Sequence, residues 1–208
     1  MKELPVYADL VFETSEFSKA SRLEKWRSSM SEAYYSLEIL EDVSQALDAK
    51  IEVVTLSDVN ISNFRSTRAQ GFRSRSDIRR DTVEFFVFVF VTEGEMYFNQ
   101  MARCGALSAG QYVMLRSGEP YELSCNRPSK AITLHLPVSD VENRYQLAHL
   151  HCAKAFDSDP ILFPMVASVM RSIGAVPISA RELLCRDLRR QVMELILLLL
   201  RTERMQAS

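Results

Sequence analysis

Histidine, cysteine and glycine are scarce in this chain of 208 residues, and each shortage removes a class of function before any motif is sought. Three histidines, His135, His149 and His151, are too few and too scattered for a metal site built on imidazole, whose ligands must converge on one ion. Cys104, Cys125, Cys152 and Cys185 have no CxxC or zinc-finger spacing. A chain of this size gains enough from its core to fold without staples, so these are expected as reduced thiols. Charge of one sign is also lacking. A formal net charge of -2 gives no global attraction to nucleic acid, so any contact with a polyanion must be local. The opening Met1-Lys2-Glu3-Leu4-Pro5 has no apolar h-region, so no signal peptide is expected and the cytoplasm is the expected compartment. Leu195 to Leu200 is very apolar but far too short to span a bilayer, and Arg189, Arg190 and Arg201 bracket it.

What the chain does have is a block of short strands. Thr82 to Val91 is β-branched and aromatic on both faces, as a strand covered on two sides requires. Glycine turns at Gly94 and Gly110 lead into Met96-Tyr97-Phe98 and Tyr112 to Leu115, and Tyr121 to Leu123 and Ala131 to Leu136 add two more. Short strands separated by turns at such intervals predict an antiparallel barrel or sandwich. Before this block, apolar residues at three- and four-residue steps predict a helix over 15–35, started by Ser15 or Ser18. Two strands follow, Ile51 to Leu56 and Val59 to Arg68, and then a polar, basic loop from Ala69 to Asp81.

After Pro137 the pattern turns helical, with a short helix from Val138 and a longer one from Asp159 to Ile173. The last helix has Ser179 as its expected N-cap and Glu182 three residues on, a capping box. Leu184, Leu188, Val192, Leu195 and Leu199 then form one apolar seam. Because Leu195 to Leu200 is apolar nearly all round, this helix is expected to be covered on more than one side, with a second copy of the chain as the cover.

Arg22-Leu23-Glu24-Lys25-Trp26-Arg27, the helix ending in Tyr35-Ser36-Leu37-Glu38, and Leu107-x-x-Gly110-x-Tyr112-Val113-x-Leu115 with Pro120-Tyr121 together carry a resemblance. Over about Arg22 to Arg144 the sequence resembles the amino-terminal sensor domain of AraC/XylS-type transcription regulators. The resemblance implies a mainly β, α+β fold: a cupin-like antiparallel barrel with an amino-terminal helix and carboxy-terminal dimerisation helices. It places the sensor at 1–145 and the helical dimerisation segment at 146–208. It also implies a small-molecule effector, a homodimer through the last helix, and DNA contact only through a helix-turn-helix domain absent from this sequence, as expected of one piece of a longer regulator.

Metal-dependent cupins hold their ion with paired histidines and a carboxylate, and the strand block offers only His135. No metal, cofactor or catalytic residue is therefore expected. His149 and His151 lie in a helix or connector where their side chains diverge. His135 shares a strand face with Thr133, and facing inward it would offer a ligand one hydrogen bond. The candidate ligand-binding residues are Phe86, Phe88, Phe90, Tyr112, Met114, Tyr121 and His135, which favour a flat or apolar molecule, with Arg65 or Arg68 as an anion contact. The arginines from Arg73 to Arg80 are expected to be solvated. The competing function is a metal-free, isomerase-like cupin enzyme, disfavoured by the shortage of paired acid and base groups. In a third case the barrel is filled and serves only interaction.

Overall fold

The computed structural model describes residues 8–40, 47–157 and 161–206, so Met1 to Pro5 and the expected helix start at Asp159 lie outside the described residues. Strand β1 (Leu10–Glu13) runs into a single tight turn, and helix α1 (Arg22–Ala33) follows. The helix starts later than its periodicity predicts because residue 14 is held elsewhere. The Thr14 hydroxyl accepts from the Ala49 backbone N–H at 2.8 Å, which ties the turn to a neighbouring strand. Neither predicted serine caps the helix: the cap position is Ser21, without a side-chain cap bond.

Strand β2 (Glu38–Leu40) leads to β3 (Ala49–Leu56) and β4 (Val59–Ser66), both close to expectation. The predicted loop after them is instead strand β5 (Ala69–Arg73) and a one-turn helix α2 (Arg75–Ile78). Gln70 and Gly71 give β5 no apolar alternation, and its order comes from pairing on both sides. Ser74 and Asp77 close the start of α2 with a reciprocal capping box.

The strand block contains β6 (Phe85–Glu93), β7 (Glu95–Gln100), β8 (Arg103–Ser108), β9 (Gln111–Arg116), β10 (Tyr121–Cys125) and β11 (Ser129–Pro137). Gly94, at φ 77°, turns β6 into β7, and a Cβ there would lie 2.4 Å from the Pro128 carbonyl oxygen. Only glycine meets both demands. Strand β8 has no apolar pattern and, among the described residues, pairs with β7 alone. Helix α3 (Val138–Glu142), strand β12 (Ala155–Asp157), helix α4 (Leu162–Gly174) and the long helix α5 (Ile178–Gln206) complete the chain. Ser179 lies inside α5 rather than capping it, since the Arg181 N–H already bonds the Pro177 carbonyl at 2.8 Å.

The strands form two antiparallel sheets, ordered β1-β3-β4-β11-β6-β9-β12 and β2-β5-β10-β7-β8. Facing each other, they enclose Val87, Val89, Met96, Leu115 and Tyr121 in one apolar cluster, joined at one end by Trp26 and Met30 of α1. A second apolar layer covers the other face of the larger sheet, where α3, α4 and α5 pack. This layer joins residues on both sides of position 145. Arg189 of α5 grips Asp58 at 2.7 Å in the β3–β4 turn and also bonds Asp140 of α3, so the long helix is clamped at two points.

Candidate functional site

Side chains alternate along a strand, and residues directly opposite each other share a face. His135 faces Val87 across the β11–β6 ladder and Thr133 faces Val89, so all four point into the space between the sheets. A cavity of about 80 Å³ lies there, lined chiefly by Met30, Phe64, Val87, Val89, Met96 and Leu123, with Tyr34, Tyr121, Ser124, Thr133 and His135 among its polar lining residues.

His135 is 4% exposed, and its Nδ1 has no hydrogen-bond partner. Tyr34 stacks on the imidazole at 4.3 Å, while Tyr35 and Phe85 meet it edge-on. Burial pushes the His135 pKa down from 6.5 to about 3, so the ring is neutral at physiological pH. The Tyr34 Oη lies 3.1 Å from the Thr133 hydroxyl, and Tyr35 and Tyr121 share a hydrogen bond of 2.7 Å. Burial raises the Tyr34 and Tyr121 phenols to about 12 and Tyr35 well above its ordinary value. Beneath them lies Arg73, 1% exposed. Its guanidinium stands 4.2 Å from the Tyr35 ring centre and donates to the Ser117 and Ser36 carbonyls and to Asp81.

Of the residues expected to bind a ligand, Tyr121 and His135 line the cavity. Phe86, Phe88, Phe90, Tyr112 and Met114 do not: they lie on the opposite face, in the layer beneath the helices. The helix layer takes the bulky side of β6, and the smaller valines between the phenylalanines leave room on the inner side. Tyr112 stacks with Phe90 and Phe156 there, and burial, followed by the nearby Glu203, raises its phenol pKa far above the ordinary value. Arg65 points out of the barrel to Glu13, and Arg68 sits exposed in the turn after β4, so neither lines the cavity. The buried arginine beside this site is Arg73, which the sequence places among solvated neighbours; β5 turns it inward.

Among the described residues, no three His, Cys, Asp or Glu side chains come together as a metal site. His149 is exposed while His151 is buried beside Tyr145, 3.1 Å from its hydroxyl. Among the described residues no helix is long and apolar enough to cross a membrane. The predicted seam of α5 splits in two. Val192 and Leu199 are each 1% exposed and pack into the chain's own helix layer, whereas Leu184 is 46% exposed and Leu188 and Leu195 are half-buried. Leu198, 45% exposed, extends the outward line in place of Leu199.

Residues 26–201 match the AraC-binding-like domain family, and the chain belongs to it. Its cupin-like barrel is that of an AraC-binding sensor domain. The crystal structure of the AraC-like transcriptional activator CuxR superposes with a TM-score of 0.74 at 12% identity, covering 92% of this chain and 69% of that one. An uncharacterized protein in the nit 5' region of Bacillus sp. (strain OxB-1) is 22% identical over 129 residues. That match takes in 62% of this chain and 50% of the relative, so it spans half the relative's length.

Proposed function

We propose that this chain senses a small-molecule effector for an AraC-type transcription regulator of the cytoplasm, with the effector held between the two sheets and a homodimer formed through α5. DNA is read by another part of the same regulator. The observation that carries this is the apolar cavity with an unpartnered, buried His135 Nδ1 at its wall, in a chain of this family. The activity follows from linkage: a molecule that fits one arrangement of barrel and helices better than another shifts the population towards it. Strands β6 and β11 are the physical route. Val87, Val89 and His135 touch the cavity, and alternate residues of the same strands pack under α4 and α5.

The cavity's chemistry favours holding over transforming. An acid–base catalyst at neutral pH needs groups that titrate near 7, yet burial drives His135 down to about 3 and the phenols Tyr34 and Tyr121 up to about 12. On α5 the exposed Leu184 and Leu198, with the half-buried Leu188 and Leu195 between them, recur at coiled-coil spacing and support the dimer. Thermal melting against a panel of small acids, amines, alcohols and aromatics tests the sensor role. A true effector raises the midpoint with its concentration, as mass action requires. If no compound moves the midpoint and none enters the cavity, the sensor role is wrong.

A further inference from the structure

Resting on the sensing role proposed above, the geometry points to a small, uncharged, largely apolar molecule with one hydroxyl group as the ligand of this cavity, its hydroxyl seated on His135 Nδ1. Size sets the first limit. Dry apolar cavities of about 150 Å³ accept benzene, and this one holds about 80 Å³, enough for a short carbon skeleton.

Charge sets the second limit. Among the described residues, no Asp, Glu, Lys or Arg lines the cavity. Arg73 is the nearest buried cation, but Asp81 and two backbone carbonyls already take its guanidinium and Tyr35 covers its face. A carboxylate or an ammonium would enter without a counter-charge, and the lost hydration would go uncompensated.

Hydrogen bonding selects the functional group. The Tyr34 and Tyr121 hydroxyls have partners in Thr133 and Tyr35, and among the described residues His135 Nδ1 is the buried nitrogen of the wall without one. Tyr34 covers a face of the imidazole, so a ligand must approach the ring edge. A neutral imidazole nitrogen is a donor in one tautomer and an acceptor in the other, and a hydroxyl serves both. Burying an alcohol there satisfies two polar groups at once, whereas a pure hydrocarbon leaves the nitrogen orphaned.

The test uses the chain labelled with 15N in histidine and 13C in valine methyls, titrated in turn with butan-1-ol, butanoate and butylammonium. Butan-1-ol is expected to shift the Val87 and Val89 methyls and the His135 Nδ1 resonance saturably, and at least tenfold more tightly than either ion. His135→Phe should weaken the alcohol at least tenfold, and Val89→Phe, which fills the space, should abolish the shifts. If either ion saturates the same methyls more tightly than the alcohol, the ligand class is overturned and the sensor role stands. Equal alcohol affinity in wild type and His135→Phe overturns the contact with His135. If none of the three compounds moves a Val87 or Val89 methyl, this inference falls, and the sensor role falls with it if the wider panel is silent too.

Discussion

Arg73 and His135 are both more than nine-tenths buried, yet their partners differ. Arg73 has three acceptors and an aromatic face, enough to replace its hydration. His135 has aromatic rings around it and no partner at Nδ1, and burial takes its folded pKa down to about 3 from 6.5. Below pH 6.5 the unfolded chain therefore binds a proton that the folded chain refuses. Stability is full above that pH and drops as pH falls towards 3, by up to about 1.4 kcal/mol per pH unit. The nearby Tyr34, Tyr35 and Tyr121 phenols titrate far above this window. Urea unfolding at pH 7.5, 6.5 and 5.5 should show this loss in the wild type and a flatter profile in His135→Phe; matching profiles would mean that His135 is not buried neutral. Alternation along β11 put His135 and Thr133 on one face in the sequence, but which face turns inward is set by the pairing with β6 and the sheet opposite. Arg73 was not legible, because its burial depends on β5 being paired from both sides, and neither partner strand is adjacent in the chain.

Helix α5 shows how far periodicity carries. The steps from Leu184 to Leu199 locate the helix and its apolar character, but Leu195 to Leu200 is apolar on every side and so hides which line faces in. The sheet decides it: Val192, Ile196 and Leu199 turn inward, Leu188 and Leu195 lie half-buried at the edge of that layer, and Leu184 and Leu198 turn out. Two substitutions separate these lines. Val192→Glu places an unpaired carboxylate in the helix layer and should cost about 4 kcal/mol or more, seen as a collapsed melting transition. Leu198→Glu should leave the monomer's fold intact and shift the chain to monomer in sedimentation. A dimer unchanged by Leu198→Glu and Leu184→Glu together would exclude this face as the interface. The strands were easier to find where aromatic and β-branched residues cluster, as in β6, than where polar residues pair at an edge, as in β8.

At the scale of the whole molecule there are three layers: the smaller sheet, the larger sheet, and the helices, with the cavity between the first two. If effector binding and dimerisation are coupled, the coupling is reciprocal. Whatever factor the effector imposes on the dimer dissociation constant, dimerisation must impose on the effector's affinity. Calorimetry of the effector against wild type and the monomeric Leu198→Glu chain, set beside sedimentation with and without effector, should give the same factor twice. Equal affinities and an effector-independent dimer would leave the barrel and the helices uncoupled.

Strand β6 faces both ways, with Phe86, Phe88 and Phe90 under the helices and Val87 and Val89 at the cavity. A packed interior absorbs little change in volume, so a substitution that reseats the helices also reshapes the cavity, and the reverse holds. If the chain senses and dimerises as proposed, ligand preference and quaternary arrangement are not separate traits. A mutation selected for one alters the background on which the other is tested, and related chains that diverge at Val87 or Val89 should carry compensating changes at Phe86, Phe88 or Phe90.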